Sequence, residues 1–157
     1  MNYAEYKVLK DTLERRLKII ALVPAFIFLA VIFQLVILIV GADTPATWFN
    51  LILVDQLYAS AKVFVSAGNT VMVLMCYGAV ALLIAALLLC AFFCYRNLRF
   101  AYQVLFAIYL ADTILAVVSI NYYQIAVHLV FLAILFYGIR CVRHLDSIPR
   151  DVWGFFD

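Results

Sequence analysis

Apolar residues run through this chain in long blocks rather than in short alternations. Four blocks reach or approach the roughly 20 residues that a helix needs to cross a bilayer. They are residues 19–40, 71–93, 100–120 and 122–139. The fourth is the shortest, and Tyr122 and Gln124 supply interfacial anchors at its start. Before the first block, Tyr6, Leu9, Leu13, Leu17 and Ile20 recur at spacings of three and four, which predicts an amphipathic helix over residues 3–18. Opposite charges four apart, Lys7 with Asp11, Lys10 with Glu14 and Glu14 with Lys18, support that helix. It either lies along the inner surface of a membrane or extends the first span into solvent.

The stretch from 46 to 65 is apolar but interrupted by Asn50, Asp55, Gln56, Ser60 and Lys62. Thr44 followed by Pro45 predicts its start, a capping side chain before a proline at the first helical position. Asp55, Lys62 and Ser66 fall on one side of it, and Leu53, Leu57, Ala61 and Phe64 on another. That pattern predicts a helix lying under the outer headgroups rather than a fifth span. Residues 66–70, Ser-Ala-Gly-Asn-Thr, then turn the chain into the second span, and Asn121-Tyr122-Tyr123 make a very short turn between the last two. The expected fold is therefore all-α: a polytopic membrane protein forming one domain over residues 1–157. It would have four transmembrane helices, an N-terminal amphipathic helix and an extracytoplasmic interfacial helix.

Composition supports a membrane setting. Hydrophobic residues make up 69% of the 157 and charged residues 13%, about half the charged share of ordinary soluble domains. The first apolar block is too long for a signal-peptide core, and no small-residue cleavage pattern follows it. The net charge is only +2, but of 11 basic residues all except Lys62 fall at the N-terminus, between the second and third spans, or after the fourth. The positive-inside rule makes that side cytoplasmic, with both termini in the cytoplasm of a cell-membrane protein. No basic aromatic surface suits nucleic acid.

Smaller features have mainly structural readings. Pro24 removes a backbone donor in the first span and invites a kink. Gly78, Ala81 and Ala85 line one face of the second span and would admit a close neighbour, within the chain or in a second copy. Trp48, Tyr95, Tyr102, Tyr122, Tyr123 and Trp153 sit where interfacial belts form. Pro149 ends any helix near the C-terminus. Cys76, Cys90, Cys94 and Cys141 lie within spans or at their cytoplasmic edges, away from any outer loop that a disulfide would staple. Cys94 and Cys141 would be the positions for acylation if packing were not their role.

Candidate chemistry is confined to one pair. Asp112 and His128 are the only ionisable side chains inside the four blocks, tyrosine and cysteine aside. Charged or titratable groups in hydrocarbon are costly and need a partner or a purpose. Measured from the turn at Asn121, the two differ in depth by about 4–5 Å at the rise of an α-helix, which facing side chains can bridge. Tyr109, Ser119 and Gln124 could extend the pair into a polar network, and Gln34 in the first span is an interhelical hydrogen-bonding residue.

Three readings of the pair stand open: a structural bond fixing the hairpin, a protonatable step on a water-accessible path, or the acid–base groups of a small site. A second intramembrane histidine for haem is missing, and a metal site would lack ligands, so no cofactor and no metal are expected. No HExxH, GxSxG, Walker loop or dinucleotide fingerprint occurs.

Residues 97–145, NLRFAYQVLFAIYLADTILAVVSINYYQIAVHLVFLAILFYGIRCVRHL, carry one resemblance. Asp112-Thr113, His128 and Tyr137-Gly138 make this segment similar to a layout found in small bacterial four-helix integral membrane proteins, uncharacterised and chiefly from Gram-positive bacteria. Those have a basic inner turn, a span ending in Asp-Thr, then a span with a mid-depth His and an aromatic–Gly segment before basic residues. Here Leu-Phe-Tyr-Gly stands where they have a Leu-Tyr-Tyr-Leu style, and the Trp expected after the His is absent. The front half is similar only in layout. The resemblance implies four spans and no activity.

The expectation is a non-enzymatic membrane protein that acts by association with itself or with a larger membrane complex. A small proton-linked channel or transporter subunit using Asp112 and His128 is the alternative, and a membrane enzyme is third. The bilayer itself is the one certain contact of such a chain.

Overall fold

The computed structural model describes residues 3–41 and 50–147, with side chains from Lys7 onward. The expected helix start at Thr44-Pro45, Trp48, Pro149 and Trp153 lie outside the described residues.

Six helices follow in chain order: α1 Tyr3–Ile20, α2 Leu22–Val40, α3 Ile52–Ser66, α4 Thr70–Tyr95, α5 Arg99–Val118 and α6 Tyr122–Asp146. Four helical stretches are long and apolar enough to cross a membrane: Lys7–Val40, which joins most of α1 to α2, then α4, α5 and α6. Their outward faces are apolar. Leu29, Phe33, Leu74, Leu82, Phe100, Val118 and Leu129 are all exposed, as helices facing lipid should be. The α1–α2 break falls at Ala21, three residues before Pro24, where the missing proline N–H leaves the Ile20 carbonyl without its helical donor.

One end of the bundle is basic. Ile20, Tyr102 and Gly138 meet there, bringing together the end of α1, the start of α5 and the lower part of α6. A Cβ built on Gly138 would stand 3.0 Å from the Tyr102 ring and 3.1 Å from Ile20, so glycine is what lets α6 approach both. Tyr102 is fully buried, its hydroxyl donating to the Cys94 carbonyl at 3.2 Å. It belongs to the core and not to an interfacial belt, whereas Tyr95, Tyr122 and Tyr123 are exposed. Cys90, Cys94 and Cys141 are buried among the same packing residues. α6 runs seven residues past the expected end of the fourth span, and α1 packs along this extension through Leu13 and Leu17.

All three turns between the last four helices are built alike. In each, one residue has positive φ: Gly68 at 68°, Asn97 at 59° and Ile120 at 53°. The following amide reaches back to a carbonyl five residues earlier: Asn69 to Phe64, Leu98 to Phe93, Asn121 to Ala116. This closure satisfies the last free carbonyls of one helix. Asn69 and Asn121 then cap the next helix by accepting from the amides of Met72 and Gln124.

The helix expected at 46–65 begins at Ile52, after an extended Leu51. It runs beside α2 and in the same direction: Leu51 is bonded to Gln34, and seven residues later the Tyr58 hydroxyl donates to the Leu38 carbonyl at 2.8 Å. Gln34 lies six residues before the end of α2, about 9 Å back along the helix. A half-length helix therefore starts at the depth of Gln34, inside the bundle. Ile52, Val54 and Ala61 are buried against the bundle. Leu53, Leu57, Ala61 and Phe64 are buried or half-buried while Lys62 and Ser66 are exposed, but Asp55 departs from the expected polar side by turning toward Gln34.

Candidate functional site

The site is a buried polar layer where α2, α5 and α6 converge on the start of α3. Asp112 and His128 are 1% and 0% exposed, and His128 Nε2 lies 2.7 Å from Asp112 Oδ2. The α5–α6 turn sets this up by bringing the two residues to nearly one level on facing helices.

The other ring nitrogen fixes the tautomer. His128 Nδ1 is 2.6 Å from the Gln124 carbonyl oxygen, which can only accept, so Nδ1 carries a proton. A hydrogen bond at Nε2 then needs one more proton between the ring and the carboxyl. Asp112 also accepts two backbone amides, Ile52 at 3.2 Å on Oδ2 and Leu53 at 2.8 Å on Oδ1. The carboxyl thus takes two backbone N–H donors as well as its contact with the ring, and one proton is shared between Asp112 and His128. The pair is neutral as a whole in either proton position.

Asp112 also plugs the N-terminus of α3. The first amides of a helix have no partner within it. Here those of Ile52 and Leu53 go to Asp112, and those of Val54 and Asp55 go to the Leu51 carbonyl at 3.1 and 3.4 Å. A carboxylate at this end is further favoured by the helix dipole.

Gln34 completes the junction. Its Oε1 accepts the Leu51 amide at 3.1 Å, and its Nε2 donates to the Leu51 carbonyl at 3.0 Å and to Asp55 Oδ1 at 2.7 Å. From α6, Gln124 Nε2 donates to the Asn50 carbonyl at 3.4 Å. Irregular backbone at membrane depth is tolerated only when protein satisfies its polar groups. Three side chains from three spanning helices do so here. Burial, and secondarily the neighbouring Asp112, push the Asp55 carboxyl above the usual carboxylate range, while the Gln34 bond pulls the other way.

Of the six residues expected in a network, five meet. Tyr109 joins through its ring, which lies 5.0 Å from the His128 ring at a 32° tilt and meets Phe131 edge-on at 5.6 Å. Gln34, Gln124, Asp112 and His128 join through hydrogen bonds. Ser119 does not: it is exposed at the C-terminal cap of α5, one helical stretch beyond the layer.

Sequence reasoning missed Asn50, Leu51, Ile52 and Leu53, which take part through backbone atoms, and Asp55 as a partner of Gln34. The one available signal was the polar interruption of an apolar stretch at Asn50 and Asp55.

Among the described residues no group of three or more His, Cys, Asp or Glu side chains could hold a metal ion. The chain matches no protein-family model, no curated protein and no solved structure.

Proposed function

We propose that this chain is a non-enzymatic, multi-pass protein of the cell membrane, with both termini on the cytoplasmic side, that acts by association with a second copy or a larger membrane complex. The observation that carries this reading is the closure of the polar layer. Asp112, His128 and Gln34 are at most 1% exposed, and their polar atoms bond within the chain. A layer closed in this way supports a clamp for α3 better than a site awaiting substrate. Association has a surface available: Gly78, Ala81 and Ala85 of α4 all face outward, with nothing within 4 Å of a Cβ placed on Gly78. Small residues on a lipid-exposed face admit a second helix closely.

The test uses Asp112→Asn and His128→Ala in liposomes. Lower thermal stability or assembly with unchanged ion flux is the expected result. Loss of a pH-dependent flux by a variant that remains folded would replace the clamp with the second reading, a small proton-linked channel or transporter subunit. One observation favours that alternative: a single proton shared between Asp112 and His128 at the start of a half-length helix. Its movement would change the charge facing the α3 amides.

A further inference from the structure

At the basic end of the bundle, two adjoining hollows lie along α6, the first also walled by α1. One, of about 260 Å³, is lined by Leu13, Arg16, Tyr137, Arg140, Cys141 and His144. The other, of about 320 Å³, shares Arg140 and His144 and adds Arg143 and Ser147. No carboxylate among the described residues lines either one. Among the described residues, Arg16, Arg140 and Arg143 make no ion pair with a carboxylate. Arg16 is nonetheless held in place, since its Nη1 donates to the Tyr137 hydroxyl at 2.9 Å. A guanidinium has five N–H donors, and that bond uses one.

We infer that this groove binds the phosphate of an anionic glycerophospholipid. Arg16, Arg140 and Arg143 line the two hollows where the apolar span gives way to the basic end, without an anionic partner among the described residues. Phe136, next to Tyr137 on α6, and Ile19 and Leu22, one to two turns past Arg16 at the α1–α2 break, are exposed, so acyl chains would meet apolar surface while the headgroup meets the arginines. This placement favours a lipid over free phosphate, for which an adjoining apolar wall has no use. Basic pockets between spanning helices bind anionic headgroups in this manner. The inference requires that the four helices cross a bilayer and is independent of whether the chain associates with a partner.

The test is native mass spectrometry of the purified full chain with dioleoylphosphatidylglycerol, dioleoylphosphatidylcholine or inorganic phosphate. Retention of phosphatidylglycerol over phosphatidylcholine is expected, and Arg16→Gln with Arg140→Gln should weaken it about tenfold or more. Arg15→Gln with Lys18→Gln removes the same charge from exposed positions outside the groove and should leave the preference nearly intact. Circular dichroism reports whether each variant keeps its helices, and Arg140→Gln alone serves if the double variant does not. Equal loss in both pairs would overturn the site in favour of diffuse attraction. Equal retention of the two lipids would overturn it as well, and displacement of the lipid by millimolar inorganic phosphate would show free phosphate to be the ligand.

Discussion

The α3–α4 and α5–α6 hairpins have the same turn but hold themselves in different ways. Both close through a residue of positive φ followed by a capping asparagine. In α5–α6 the two helices have 20 and 25 residues, and each can cross the membrane. In α3–α4 they have 15 and 26, and the short one begins inside the bundle. Its start cannot be satisfied by water or by its own helix, so α5, α6 and α2 supply the partners. One hairpin is therefore the scaffold and the other is its client. A polar side chain in a spanning helix serves here less to meet another side chain than to finish a backbone that stops halfway.

The sharpest way to break this comparison is at Asp112. Asp112→Ala leaves His128 and two α3 amides unpaired, and should cost about 3–5 kcal/mol, the range for breaking a buried ion pair from one side. Thermal unfolding in detergent measures the loss. Hydrogen exchange should show α3 losing protection before α5 and α6, since the client depends on the scaffold and not the reverse.

Gln34→Leu comes next. It orphans the Leu51 amide and takes the donor from Asp55 Oδ1, with an expected loss of about 2–3 kcal/mol, again concentrated in α3.

The two turns give a smaller, paired test. Ile120 is a β-branched residue at φ 53°, while Gly68 occupies the equivalent place at φ 68°. Ile120→Gly should stabilise, and Gly68→Ala should destabilise, each by about 1 kcal/mol. If both changed stability in the same direction, the turns would not be equivalent.

Asp55→Asn should be the mildest. The amide oxygen can still accept from Gln34, and the desolvation that raises the Asp55 carboxyl is relieved. A carboxyl raised by folding binds more protons in the folded state, so its contribution to stability falls as pH rises from the ordinary value to the folded one. Asp55→Asn should remove that slope, measured as melting temperature against pH.

The scaffold was legible in the sequence, while the client was legible only in outline. Apolar blocks marked α2, α4, α5 and α6, and the distances of Asp112 and His128 from Asn121 put the two at nearly one level. Their contact follows from side-chain chemistry that the sequence displays. The start of α3 follows from Leu51, Ile52 and Leu53, whose side chains are apolar and whose part in the layer is played by amides and a carbonyl. Backbone donors are the same in every residue but proline, so no residue type marks a helix that starts in mid-bundle. Asp112 therefore read as a partner for His128 alone. Ser119 misled for a related reason: seven residues along a helix restores the face, but it also moves about 10 Å along the axis.

The central claim is that the Asp112 carboxyl caps α3 inside the bundle. Solid-state NMR in lipid bilayers, with 13C at Asp112 Cγ and 15N at the Leu53 amide, measures that contact directly. A hydrogen bond there puts the two nuclei within about 4 Å of each other, and strong dipolar dephasing is expected. Absence of dephasing in folded protein, with α3 free of Asp112, would contradict the account.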